Sequence, residues 1–79
     1  MKENIVSLDM IPCGKRAKVK ELTSVGNLRR RMLDLGLIIG TIVESLRKSP
    51  SGDPTAYEIR GAVIALRSEE ASKIMVELI

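Results

Sequence analysis

The sequence predicts a small, mostly β domain: a closed or nearly closed barrel of about five short strands, with a helix between strands one and two. The chain has 79 residues, enough for a single domain over residues 1–79 with a small core. Apolar and polar residues alternate over several short stretches, as half-buried strands require, and one longer stretch follows the helical period. Short strands favour closure, because a closed barrel leaves few strand edges exposed.

The first strand is predicted over residues 14–22. Ala17 and Val19 alternate there with the charged residues Arg16 and Lys18, so one face is apolar and the other is polar. Turn-forming proline and glycine residues lie just before this stretch. A half-buried strand follows from this pattern.

The helix is predicted over residues 24–36. Leu28, Met32 and Leu35 recur at spacings of four and three residues, which puts them on one helix face. Gly36 follows them at the position where helices commonly end in a left-handed residue. The helix should therefore bury one apolar face and end at Gly36.

Three consecutive arginines, Arg29, Arg30 and Arg31, lie within the predicted helix. At about 100° per residue they point in three directions, so they do not form one basic patch. Arg30 lies one turn before Asp34, and we expect these two side chains to form a weak surface ion pair. A solvated helix face is the simpler interpretation, and a partner-binding role is the alternative.

Four further strands and a helical turn are predicted in the second half of the chain. The dipeptide Arg60-Gly61 indicates a tight hairpin turn. Ile64 and Leu66 are expected to face inward, and the last strand is expected to run through Ile74, Val76 and Leu78. The predicted order is a strand at 41–48, a loop at 49–54, a hairpin of strands at 55–60 and 62–67, a helical turn at 68–73 and a strand at 74–78.

The composition excludes several kinds of chemistry. The chain has no histidine and one cysteine, Cys13, so histidine-based catalysis and imidazole metal ligation are ruled out. The acidic residues are scattered, and no phosphate-binding glycine loop is present. Tyr57 is the single aromatic residue, which is too few for base stacking or for a proline-rich peptide groove. We therefore expect no catalytic residues, no metal ligands and no cofactor.

Three stretches carry a family resemblance: "CGKRAKVKEL", "LRRRMLDLGLIIGTIVESLRKSPSGDP" and "YEIRGAVIALRSEEASKIMVEL". In order and spacing they resemble the ferrous iron transport protein A (FeoA) family, over nearly the whole chain. The resemblance implies an SH3-like β-barrel with a helix between strands one and two. It also implies a cytoplasmic accessory protein of bacterial ferrous iron uptake. Its partner would be the transporter FeoB, through the cytosolic part that carries a GTP-binding domain.

The hypothesis is therefore a non-enzymatic protein-interaction module. Gly36, Gly40 and Gly61 are expected to be structural, because only glycine suits their backbone geometry. Val63 is expected on the outward face of the hairpin as an exposed apolar contact. The candidates for partner binding are Arg30, Arg31, Asp34, Leu37, Ser51, Gly52, Asp53, Pro54 and Val63.

Other functions stay open. The resemblance extends to the SH3-like domains of iron-dependent repressors, and a small nucleic-acid-binding barrel is a further alternative. The net charge of +3 is modest for binding nucleic acid, which we do not expect. An arginine finger toward the transporter's nucleotide and an iron-sensing role are less well supported. No apolar segment long enough to span a bilayer is present, so membrane insertion is not expected, and pairing of copies through strand edges remains open.

Overall fold

The computed structural model describes residues 5–79, which form six antiparallel strands in one sheet, a 3-10 turn and two helices. The sheet order is β1-β6-β2-β3-β4-β5. The mostly β fold class is confirmed, with α1 following the first long strand, β2. The elements are β1 (Ile5–Ser7), the 3-10 turn (Leu8–Met10), β2 (Arg16–Leu22), α1 (Gly26–Asp34), β3 (Ile42–Lys48), β4 (Thr55–Ile59), β5 (Ala62–Leu66), α2 (Ser68–Ala71) and β6 (Ile74–Leu78).

Strand β1 was missing from the prediction of about five strands. It has three residues, too few to display an alternating pattern, and it forms an edge of the sheet by pairing with β6. Val6 lies opposite Val76 in this pair. The strand therefore depends on a partner about seventy residues away, which local sequence cannot indicate.

The core is formed by buried residues of the sheet together with Met32 of α1 and Ala71 of α2. Ala17 and Val19 of β2 are fully buried, as the alternation predicted. Ile74 and Val76 of β6 are buried as well, and Leu78 lies on the same face, opposite the buried Ala17, but is 37% exposed. As the last residue of β6, Leu78 has few neighbours to cover it.

Tyr57 of β4 is the largest fully buried side chain. Burial raises its pKa to about 12, and a hydrogen bond with Thr55 opposes part of this increase. The tyrosine is therefore a core residue of the sheet.

Helix α1 ends in the left-handed cap at Gly36 that the sequence indicated, and the cap is a Schellman motif. The N–H of Gly36 donates to the carbonyl of Leu33, and the N–H of Leu37 donates to the carbonyl of Met32, both at 3.0 Å. Gly36 has a φ of 96°, and an added Cβ would meet the Arg60 side chain at 3.5 Å. The motif turns the chain sharply, and it brings Leu37 back over the core.

The β4–β5 hairpin turns at Arg60 and Gly61, as predicted. Both residues have positive φ, 54° and 84°, which is the combination of a two-residue type I′ turn. Ile59 and Ala62 then form the first cross-strand pair. Gly40 also has a positive φ, 95°, and its N–H donates to the carbonyl of Val19 at 2.7 Å.

Candidate protein-interaction surface

The three arginines of α1 have different environments. Arg29 donates to the carbonyl of Leu22 at 3.1 Å, and Arg31 forms an ion pair with Glu70 of α2. Arg30 and Asp34 are exposed. Among residues 5–79 no ion pair joins Arg30 to Asp34, so that prediction was wrong. The side of α1 that faces α2 carries Arg31, and the ion pair forms across helices rather than along α1.

Helix α2 connects two regions that the sequence analysis treated separately. Glu70 pairs with Arg31 through one carboxylate oxygen and accepts the N–H of Arg67 through the other, at 3.0 Å. Asp53 accepts the N–H of Ser68 at 2.8 Å. We call these five residues the α2 junction: Arg31, Asp53, Arg67, Ser68 and Glu70.

Asp53 therefore caps the start of α2 from a distant loop. Its second carboxylate oxygen lies 4.0 Å from a guanidinium nitrogen of Arg67. A carboxylate at a helix start satisfies a free N–H and stabilises the helix dipole. Asp53 was proposed as a partner contact, and in this structure its carboxylate is engaged within the chain.

The rest of the loop at 49–54 is held by its own hydroxyls. Ser49 and Ser51 both donate to the carbonyl of Asp53, at 2.7 and 3.0 Å. Ser51 and Gly52 are exposed, whereas Pro54 is half-buried. These hydrogen bonds fix the conformation of the loop, and its exposed tip is polar. The partner-binding candidates at this tip are Ser51 and Gly52.

An open cleft of about 450 Å³ lies beside this loop. It runs over the outer face of β3, β4 and β5, where Ala56 and Ala65 lie directly opposite each other. Small side chains on neighbouring strands leave the space unfilled. Its lining residues are Arg47, Lys48, Ser49, Pro50, Pro54, Ala56 and Ala65.

Leu37 was predicted as a partner contact and is fully buried in the core. The Schellman motif directs it inward, so its side chain cannot touch a partner of the folded domain. The apolar residues around it are exposed instead: Leu33 at 39%, Ile38 at 45% and Ile39 at 65%. We call Leu33, Ile38 and Ile39 the helix-end surface.

Sequence reasoning missed the helix-end surface. The available signal was the density of apolar residues in "MLDLGLIIG", which exceeds what one buried helix face and a cap contact require. Arg30 lies one turn before Leu33 on α1, so a basic residue neighbours Leu33 of the helix-end surface. Exposed apolar residues grouped with charged neighbours are typical of protein contact sites.

Val63 is 62% exposed on the outer face of β5, as predicted. It lies opposite Glu58 of β4 in the hairpin, on an edge strand of the sheet. The predicted candidates are thus divided among the helix-end surface with Arg30 and Asp34, the loop joined to the α2 junction, and the β5 edge.

The described residues, 5–79, hold no cluster of three or more His, Cys, Asp or Glu side chains that could bind a metal ion. Cys13 is exposed. Within the same range, none of the helices has the length and apolar character needed to cross a membrane.

Comparison with known proteins decides the family. The model of the FeoA domain matches residues 6–78, nearly the whole chain. The chain belongs to the FeoA family. It is 33% identical over 72 residues to an Fe(2+) transport protein A/Fe(2+) transporter FeoB fusion protein of Porphyromonas gingivalis. That match covers 91% of this chain and 8% of the fusion protein, so the chain spans a small part of that relative's length.

Solved structures agree with this family assignment. The FeoA protein of Chlorobium tepidum is 34% identical with a TM-score of 0.88, over 94% of this chain and 70% of that chain. Stenotrophomonas maltophilia FeoA complexed with zinc, described as an SH3 domain protein, is 27% identical with a TM-score of 0.81. That match covers 90% of this chain and 88% of the other. The predicted SH3-like fold class is confirmed.

The fold is shared beyond the family. A manganese-dependent transcriptional repressor matches with a TM-score of 0.87 at 16% identity, over 100% of this chain and 44% of that one. At this identity the likeness concerns the fold alone. The SH3-like fold is therefore common to this chain and to domains of metal-dependent repressors, as the sequence analysis anticipated.

Proposed function

We propose that this chain is a non-enzymatic accessory protein of ferrous iron uptake, which binds the cytosolic GTP-binding part of a FeoB-type transporter. The observation that carries the proposal is the Porphyromonas gingivalis relative, in which an Fe(2+) transport protein A is fused to the transporter FeoB. Fusion keeps two parts at a high effective concentration, which is useful when they act together. A separate chain of the same family would meet the transporter by docking.

The helix-end surface is the best candidate for that docking. Ile39 is 65% exposed and Ile38 is 45% exposed, and both follow directly after the rigid cap of α1. Apolar side chains held on a rigid turn lose little conformational entropy when they bind. Arg30 is exposed on the preceding turn of α1, where it would supply a charged contact at the rim.

The remaining charged candidates have a supporting role in this proposal. Arg31 and Asp53 belong to the α2 junction, where they hold α1, the loop and α2 together. Their partners within the chain would have to be released before they contacted the transporter. Arg30 and Asp34 are the charged α1 side chains for which docking requires no such rearrangement.

The test is a titration of the protein against the cytosolic domain of its cognate FeoB-type transporter, with GDP and with a GTP analogue, at low and moderate salt. We expect saturable binding that persists at moderate salt. An apolar contact is insensitive to screening, whereas phosphate binding weakens steeply as salt rises. Absence of binding in every nucleotide state would contradict the proposal. Binding to single-stranded nucleic acid that disappears with salt would favour the nucleic-acid alternative.

Two matched substitutions locate the contact. Ile39→Lys inserts a charge into the helix-end surface and is expected to weaken transporter binding about tenfold or more. Met10→Lys changes an equally exposed apolar residue, 68% against 65%, in the 3-10 turn. Met10→Lys should leave binding unchanged, and equal losses from both variants would exclude the helix-end surface.

An arginine finger toward the transporter's nucleotide is tested separately. Arg31 is occupied by Glu70, so Arg30 is the arginine of this helix that would reach outward most readily. If Arg30→Ala and Arg31→Ala together leave transporter GTP hydrolysis unchanged at saturation, the finger is excluded and the adaptor function remains.

A further inference from the structure

Strand β5 is an unprotected edge of the sheet. It ends the strand order and, in the part of the chain that the structure describes, pairs with β4 alone. Its five residues, Ala62–Leu66, include no charged residue, no proline and no glycine. Soluble proteins usually protect such edges with lysine, proline or a bulge, because unpaired strands join other chains. An edge left in this state is suited to strand pairing.

The register of the hairpin identifies the free backbone groups. Because the turn has two residues, Ile59 and Ala62 form a hydrogen-bonded pair, and such pairs alternate along the ladder. Ile64 therefore bonds to β4, whereas the N–H and C=O of Val63 and Ala65 point away from the sheet. Within residues 5–79, no turn, loop or side-chain hydrogen bond uses these groups.

We infer that β5 binds β5 of a second copy, so that two chains form a reversible dimer with one continuous sheet. The paired strands would run antiparallel about a two-fold axis at Ile64. Val63 then lies opposite the partner's Ala65, and Ala65 lies opposite the partner's Val63. The free N–H and C=O groups of Val63 and Ala65 all point toward the second copy. This register therefore forms two pairs of backbone hydrogen bonds, the largest number that these groups allow.

The side chains favour a second copy over an unrelated strand. Val63 is a projecting, 62% exposed apolar residue, and Ala65 is a small residue that borders the open cleft with Ala56 and Pro54. In the proposed register Val63 and the partner's Ala65 lie side by side on the outer face of the joined sheet. Each chain thus supplies one projecting side chain, Val63, and one small side chain, Ala65. The two-fold axis brings them together in two equivalent contacts.

The dimer should be weak. A contact of one five-residue strand from each chain is smaller than the roughly 1,200 Å² that stable interfaces bury. No like charges oppose each other within the paired strands, because Ala62–Leu66 are uncharged. We therefore expect dimer formation to depend on concentration, and to be independent of the helix-end surface and of any transporter.

Sedimentation equilibrium of the whole chain from micromolar to millimolar concentration tests the proposal. The apparent mass should rise from 8.7 kDa toward twice that value. Val63→Lys should stay at the mass of one chain, because it protects the edge with a charge. Val25→Lys is the matched control at an 81% exposed valine before α1, and it should dimerise like the parent.

Two further measurements keep the result independent of protein stability. Ala65→Pro removes an outward N–H that has no internal partner, so the variant protein should fold and remain monomeric. Amide hydrogen exchange of Val63 and Ala65 should slow as concentration rises, while that of Ile64 should be slow throughout. A constant mass of one chain at millimolar concentration would overturn the proposal. So would dimerisation of Val63→Lys equal to that of Val25→Lys.

Discussion

The α2 junction and the helix-end surface both include a residue of α1, Arg31 and Leu33 respectively. They differ in whether their side chains already have partners within the chain. In the α2 junction, Arg31 and Asp53 already bind Glu70 and the start of α2. In the helix-end surface, Ile38 and Ile39 are 45% and 65% exposed. Two of the charged sequence candidates, Arg31 and Asp53, are thus engaged within the chain, while the aliphatic residues Ile38 and Ile39 remain available for a partner.

The difference predicts separate responses to substitution: changes at the core and the α2 junction should lower the free energy of unfolding, and changes at the helix-end surface should not. Four experiments examine this, beginning with the largest expected effect.

Leu37→Ala should have the largest effect, lowering the free energy of unfolding by about 2–5 kcal/mol. The side chain is fully buried beneath the α1 cap, so its removal leaves a cavity. Urea denaturation measures the loss. Ile39→Ala, two residues later and 65% exposed, should have a much smaller effect on stability. Similar losses for the two variants would remove the distinction between core and helix-end surface.

Alkaline pH should destabilise the protein through Tyr57, the most voluminous core side chain. Its pKa rises from the usual 10.0 to about 12 in the folded state, because burial disfavours the phenolate. The folded state therefore holds the phenol proton more tightly than the unfolded state does. Its contribution to the free energy of unfolding is fully present below pH 10. It should fall by about 1.4 kcal/mol per pH unit between pH 10 and 12.

Tyr57→Phe is the control for this experiment. Lysines also lose their charge in this range, so denaturation of both proteins is compared at each pH. The free energy of unfolding of the parent minus that of Tyr57→Phe should decrease as pH rises from 10 to 12. A difference that stays constant would mean that the buried hydroxyl does not control alkaline stability.

Asp53→Ala should lower the free energy of unfolding by about 0.5–2 kcal/mol, because the start of α2 loses its cap. Asp53→Asn keeps an oxygen that accepts the N–H of Ser68 and loses the charge beside Arg67, so it should cost less. Thermal unfolding of the three proteins gives the ranking. If transporter binding falls while stability is unchanged in both variants, Asp53 is a partner contact rather than a cap.

Arg31→Ala should have the smallest effect, about 0.5 kcal/mol, because the ion pair with Glu70 is partly exposed. Added salt should reduce the difference between the parent and Arg31→Ala. Arg30→Ala is the matched control, and its stability should equal that of the parent. A larger loss for Arg30→Ala would show that the neighbouring arginine carries the structural contact.

Local pattern was enough for much of the fold. The spacing of Leu28, Met32 and Leu35, followed by Gly36, indicated α1 and its left-handed cap, because a helix period and a cap depend on adjacent residues. The dipeptide Arg60-Gly61 indicated the hairpin for the same reason. The exposure of Val63 followed from strand alternation.

The candidate site was less predictable. Leu37 was a candidate partner contact, but the cap of α1 directs it into the core. Arg30 was paired with Asp34 because they are one turn apart, whereas the partner that matters, Glu70, binds Arg31 from another helix. Glu70 lies 39 residues after Arg31, so local spacing could not indicate this ion pair.

The sequence by itself determined the helix, the hairpin and the inward positions of β2, since these depend on short-range spacing. It also determined the family, through motifs that follow one another in order along nearly the whole chain. The tertiary structure alone decided the pairing of β1 with β6, the cap that Asp53 gives to α2, and which apolar residues remain outside. Those features join residues far apart along the chain. Their contacts exist only after the sheet has brought the segments together, and no local propensity encodes them.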